Sequence, residues 1–127
     1  MRVHVRVDLP AEPASVGQAR RFVGRVLSEW GLDDLADTVV LLTSELATNA
    51  VLHARTSFAV VVTREPSEVR VDVLDGSVVS PRERQPSPTA ATGRGVAMVA
   101  TLADEWGSTP EPEQYGFAKG VYFTVAA

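Results

Sequence analysis

The run from Leu35 to Ala54 constrains this chain more than any other stretch. Leu41, Leu42, Leu46 and Leu52, with Val39, Val40, Ala47, Ala50 and Val51, make it apolar nearly all round, and a helix of that kind is normally buried inside a domain. Within it Glu45, Asn49 and His53 recur at every fourth residue, with Thr48 one strip away. At about 100° per residue this is one narrow polar stripe. A carboxylate and an amide one turn apart in such surroundings need partners, because an unpaired buried charge is relieved only by an ion pair, a changed protonation state or a bound cation. Two explanations stand at this level. Either Glu45 pairs with an arginine and Asn49 bonds a neighbouring loop, or the stripe lines a pocket or a metal site. His53 reads as structural rather than catalytic.

Composition narrows the chemistry. A chain of 127 residues, 45% hydrophobic and 22% charged, fits one globular domain of the common size of about 100–150 residues. The formal charge of -4 lacks the basic excess of a nucleic-acid surface. The absence of cysteine removes disulfides, thiol nucleophiles and Cys-type zinc sites, and His4 and His53 are too few for a histidine metal cluster. Any metal is therefore expected on oxygen ligands. No apolar run reads as approaching the about 18 residues of a membrane span, and no signal-peptide core is visible at the N-terminus. The expectation is a complete, cytoplasmic chain with no direct nucleic-acid or membrane contact.

In chain order, Val3, Val5, Val7 and Leu9 alternate with Arg2, His4, Arg6 and Asp8 as a half-buried strand ending at Pro10, with His4 on its wet face. Ser15 and Gln18 suggest a capping box for a helix whose apolar stripe runs from Val16 to Trp30 and stops at Gly31. Arg20, Arg21 and Arg25 lie mostly off that stripe and read as a solvated face. Asp33 or Asp34 is the expected cap of the second helix. A hairpin follows, from the β-branched run Phe58–Thr63 through Glu65-Pro66-Ser67 to Val69, Val71 and Val73, its apolar face toward the helices. Residues 76–92 carry Pro81, Pro86 and Pro88 among polar residues and read as a lid, since loops of this length are usually functional or mobile. Gly93-Arg94-Gly95 then leads into a third apolar helix over 96–103, a geometry that lets backbone approach a ligand and offers free N–H groups to an anion. Val121–Val125 suits a closing hairpin.

An acidic–amide helix, Asp75 at a strand end and a loop running into Gly-x-Gly before a helix together resemble the GHKL ATP-binding superfamily, whose Bergerat fold serves gyrase, Hsp90, histidine kinases and small anti-sigma factor serine kinases. The segment ELATNAVLHA resembles the N box of the anti-sigma factor kinases, and GRGVAMVATLADEWG their second glycine box. The resemblance covers nearly the whole chain. It implies an α+β fold: a two-layer sandwich of a mixed, mostly antiparallel sheet with about three helices on one face, in a single domain over residues 1–127. No dimerisation helix with a phospho-accepting histidine is present, which speaks against a sensor histidine kinase.

Carried over by residue, the resemblance makes Glu45 the general base, Asn49 the Mg²⁺ ligand, Asp75 the acceptor of the adenine amino group, and Gly93 and Gly95 the glycines beneath the phosphates. Arg94 between them contacts phosphate or only solvent. Two departures stand out. Asp75-Gly76-Ser77 replaces Asp-x-Gly, and Ala118-Lys119-Gly120 stands where Gly-Lys-Thr is frequent before the last strand. The implied function is an ATP- and Mg²⁺-dependent protein serine/threonine kinase that binds a sigma factor and phosphorylates an anti-anti-sigma partner of STAS type. The alternatives are a non-catalytic or weakly nucleotide-binding docking module, and a bare ATP hydrolase. A homodimer through the strand at residues 3–9 is the expected assembly, although Arg2 and Arg6 there also act against edge pairing.

Overall fold

A computed structural model describes residues 3–77 and 99–127. The elements are β1 (Val3–Leu9), α1 (Ala14–Glu29), α2 (Ala36–Asn49), β2 (Phe58–Arg64), β3 (Glu68–Asp75), β4 (Glu105–Ser108) and β5 (Lys119–Ala126), with a π turn at Ala50–Ala54 directly after α2. The five strands form one sheet in the order β1-β2-β3-β5-β4. Every described ladder is antiparallel, so the expected α+β sandwich is present with no parallel pair among them. Residues 99–102 are helical and form the described end of the third helix expected over 96–103. The remainder of that helix, and all but Gly76 and Ser77 of the lid read over 76–92, lie outside the described residues.

The main core sits between the helices and one face of the sheet. Ala19, Val23, Val26 and Leu27 of α1 and Val39, Leu42, Leu46 and Ala47 of α2 meet Phe58, Val60, Val62, Val69, Val71, Val73 and Phe123. Period-two alternation sends Val69, Val71 and Val73 to this face, and fully burying one such side chain contributes roughly 1.5–3 kcal/mol. β2 is different, because Ala59 and Val61 on its opposite face are also fully buried, beneath Tyr115 and Phe117. Its unbroken apolar sequence is that of a strand covered on both sides.

The cover on the second face is the connection between β4 and β5, which also closes a polar network. Arg70 donates from Nε and Nη2 to the two carboxylate oxygens of Asp72, at 2.9 and 3.0 Å, and the Thr109 hydroxyl donates to Asp72 Oδ2 at 2.8 Å. Asp72 is only 2% exposed. Its hydrogen bonds to Arg70 raise the guanidinium pKa above the ordinary value, and the Arg70 head lies 4.0 Å from the centre of the Tyr122 ring. Gly120 fits under the same cover, since a Cβ there would stand 2.7 Å from Thr109 Oγ1 and 2.9 Å from Thr109 Cβ.

Four details differ from the sequence reading. No capping box forms at α1: Pro13 occupies the N-cap at φ -55, and Ser15, inside the first turn, donates its hydroxyl to the Pro10 carbonyl at 2.7 Å. Neither Asp33 nor Asp34 caps α2 through its side chain. Both sit in a 3-10 turn, Asp33–Leu35, that runs into the helix and places negative charge at its positive end. The central helix is not buried all round, because a two-layer domain covers one side of it only. Leu41 and Leu52 remain exposed, on the side that carries Glu45 and Thr48. Finally, Asp33–Ala54 is long and apolar enough, by length and composition alone, to cross a membrane. Scattered Asp37 and Glu45 hide that from a search for unbroken apolar runs, and the packing of Leu42, Leu46 and Ala47 into the sheet identifies a core helix of this domain.

Two stability changes follow. Gly120→Ala is expected to destabilise by about 1–3 kcal/mol in urea unfolding, because the methyl group meets Thr109 and Leu74 and cannot be accommodated without a shift. In an open strand the same change would stabilise, so the sign is decisive. Asp72→Ala, which strands the Arg70 guanidinium and the Thr109 hydroxyl, is expected to cost about 2–4 kcal/mol in the same measurement, less than a fully buried pair because Arg70 keeps some solvent contact.

Candidate functional site

Helix α2 supplies the first half of the site. Its buried side holds Leu42, Thr43, Leu46 and Ala47 against the sheet and α1, and this fixes the rotation at which Glu45 and Asn49 emerge one turn apart, both half-buried. The Thr48 hydroxyl turns back to the Ser44 carbonyl at 2.8 Å and leaves the stripe. Glu45 has no ion pair among the described residues, so the arginine partner that a purely structural role requires is not found there. Asn49 Oδ1 is buried and has no hydrogen-bond partner among the described residues. A buried carbonyl oxygen without a donor is costly unless something outside the protein fills it.

The helix then widens. Arg55 N–H donates to the Ala50 carbonyl at 3.1 Å, five residues back, and Arg55 closes the π turn in the left-handed region at φ 58. Such widened turns occur mostly where a helix must present backbone or side chains out of ordinary register. His53 falls in this turn and is exposed. The π turn takes it off the stripe of Glu45 and Asn49.

The second half of the site is the end of β3. Asp75 continues the alternation of Val69, Val71 and Val73 and so faces the helix layer, where it is 6% exposed. Its Oδ1 accepts from the Ser77 N–H at 2.8 Å, and the Gly76 N–H donates to Thr56 Oγ1 at 2.8 Å. This ties the turn after β3 to the segment between the π turn and β2. Both α2 and the π turn pack on β3, which brings Glu45, Asn49 and Asp75 to one face of the sheet. Gly93, Arg94 and Gly95 lie outside the described residues.

Sequence reasoning missed Lys119. It stands directly across the ladder from Asp75, with Nζ 3.3 Å from Asp75 Oδ1 and a side chain only 10% exposed. A signal was available: of the twelve lysines and arginines in the chain, it is the single lysine. The Arg70–Asp72–Thr109 network was missed too, because alternation assigns Arg70 and Asp72 to a polar face without revealing that a later segment covers it.

The donor set suits an oxygen-binding cation. No group of three or more Asp, Glu, His or Cys side chains converges among the described residues, so an all-protein metal cage is not available there. Mg²⁺ characteristically takes one or two protein oxygens and completes its shell with water and phosphate, which matches a lone buried amide oxygen. What the arrangement offers chemically is a carboxylate and a buried amide oxygen, both without partners among the described residues, and, beside β5, an acidic acceptor for a hydrogen-bond donor.

Comparison with known proteins agrees with this geometry. A family model described as a histidine kinase-like ATPase domain matches residues 9–115, which span α1, α2 and every residue of the described site except Lys119. No curated protein matches the chain at a significant level. With most of its length inside that match, and with a helix-covered antiparallel sheet carrying an acid and an amide on its central helix, the chain belongs to the histidine kinase-like ATPase domain family, an ATP-binding family of GHKL type.

Proposed function

We propose that this domain binds ATP together with Mg²⁺ on the helix-bearing face of its sheet and transfers the γ-phosphoryl group to a serine or threonine hydroxyl of a partner protein. The observation that carries the proposal is the pair on α2: among the described residues, a carboxylate with no ion pair stands one turn from a buried amide oxygen with no donor. Phosphoryl transfer requires mainly positioning and charge neutralisation, and a base, a cation ligand and a cradle for phosphate form a sufficient set. Glu45 takes the hydroxyl proton as the hydroxyl oxygen bonds the γ-phosphorus. The bond from that phosphorus to the β–γ bridging oxygen breaks, and ADP leaves. Asn49 Oδ1 would hold Mg²⁺, which would supply charge neutralisation along the phosphates. Asp75 accepts from the base amino group, and Gly93, Arg94 and Gly95 serve the phosphates.

The family resemblance of ELATNAVLHA and GRGVAMVATLADEWG supports an anti-sigma-factor-type kinase in this role, with an anti-anti-sigma protein as acceptor and a sigma factor as second partner. A homodimer fits the same reading, as does action in the cytoplasm. ATP hydrolysis differs from kinase activity only in whether water or a partner hydroxyl reaches Glu45. One observation favours the docking-module alternative: Lys119 lies against the carboxylate assigned to the adenine amino group.

Two measurements test the site. Isothermal titration with ATP is expected to show tighter binding with Mg²⁺ than with a chelator, and Asn49→Ala is expected to abolish the difference. Equal affinities in the unmutated protein would remove Asn49 as a ligand. Glu45→Gln is expected to keep the melting temperature and ATP affinity while turnover falls by roughly 10²–10⁴-fold, the range for loss of a general base. Unchanged turnover would place the base elsewhere, and unfolding would return Glu45 to a structural role.

A further inference from the structure

The geometry points to Lys119 as a base-reading residue: its ammonium donates to a ring nitrogen of the adenine beside the amino group that Asp75 accepts, so that the cross-strand pair reads a donor and an acceptor side by side. This rests on the ATP-binding reading above and extends it to a residue outside the family match.

Three observations carry it. First, Lys119 is buried in the wrong state for a satisfied structural lysine. Its Nζ stands 3.3 Å from Asp75 Oδ1, yet it makes no hydrogen bond among the described residues. An ammonium carries three donors and is strongly hydrated, so removing it from water with a single ionic contact leaves donors that call for acceptors.

Second, its placement is imposed by the ladder. Asp75 pairs with Lys119, and β5 alternation puts Lys119 on the same face as Phe123, the face that carries the helices. Gly120, the next residue, points to the opposite face, where Thr109 and Leu74 leave no room for a side chain. Residue 120 cannot reach the base from there, and Lys119 is the polar group that can.

Third, the ligand has the complementary edge. The adenine amino group is a donor flanked on both sides by ring acceptors, N1 and N7. A carboxylate beside an ammonium meets one donor and one adjacent acceptor of that edge at once. Lysine rather than arginine suits the task, because a compact head with rotatable donors fits beside a bound carboxylate, where a planar fork would close on both its oxygens.

The test is calorimetry on the full chain with ATP, 1-deaza-ATP and 7-deaza-ATP, for the unmutated protein, Lys119→Met and Lys119→Gln. The unmutated protein is expected to prefer ATP by roughly tenfold or more over one of the two analogues, the scale of a charge-assisted hydrogen bond, and the analogue that binds poorly identifies the nitrogen. Lys119→Met is expected to bind ATP and that analogue equally. Should it fail to fold with Asp75 uncompensated, the milder Lys119→Gln is expected to shrink the preference in a protein whose melting is retained. A preference that survives substitution overturns the assignment, as does an unmutated protein that binds all three nucleotides alike. Tighter ATP binding by Lys119→Met also overturns it, by showing that the ion pair closes the subsite. No binding of any nucleotide by the unmutated protein sinks the ATP-binding reading itself, which distinguishes that failure from the failure of Lys119 alone.

Discussion

The seating of α2 on β3 is the constraint on which the site depends. One side of the helix is committed to the core through Val39, Leu42, Leu46 and Ala47, and helical spacing then dictates where every other residue of α2 must point. Glu45 and Asn49 are held half out of water, with no ion pair on the Glu45 carboxylate and no donor to Asn49 Oδ1 among the described residues. Their order comes from apolar neighbours, so the geometry of a polar site is maintained by packing that has no chemistry in it. The π turn that follows lets the chain leave this position and return to β2 with Thr56 beside Gly76.

Much of this was legible in the sequence because the signals were periodic and local. Alternation in Val69, Val71 and Val73 and the four-residue recurrence of Glu45 and Asn49 report which way side chains point, and the structure places them accordingly. The capping residues were misjudged for a local reason: Pro13 presets the backbone that a serine cap would otherwise organise, which frees the Ser15 hydroxyl to bond Pro10. What the sequence could not display is contact between segments far apart. The burial of Asp72 depends on Thr109, 37 residues later, and the environment of Asp75 depends on a lysine on the last strand. Neither pairing has a periodicity, and both exist only because β5 lies beside β3.

The two faces of the sheet treat charge in opposite ways. On the second face Asp72 is saturated, with a bidentate guanidinium and a hydroxyl donating to it, while the guanidinium rests on the Tyr122 ring. On the helix face Asn49 Oδ1 and Lys119 Nζ have no hydrogen bonds among the described residues.

The position of β5 also bears on how the domain comes together. It is the last strand of the sequence, yet it lies inside the sheet, between β3 and β4. Until residues 119–126 are in place, β3 has an unpaired edge, β4 has no neighbour, and Asp75 lacks its β5 partner, Lys119. The local hairpin of β2 and β3 can form early, but closure over it awaits contacts between residues some fifty positions apart in sequence, which are entropically slow to establish. Assembly of the sheet and pairing of Asp75 with Lys119 are therefore one late event, and a chain emerging from the ribosome acquires both together or neither.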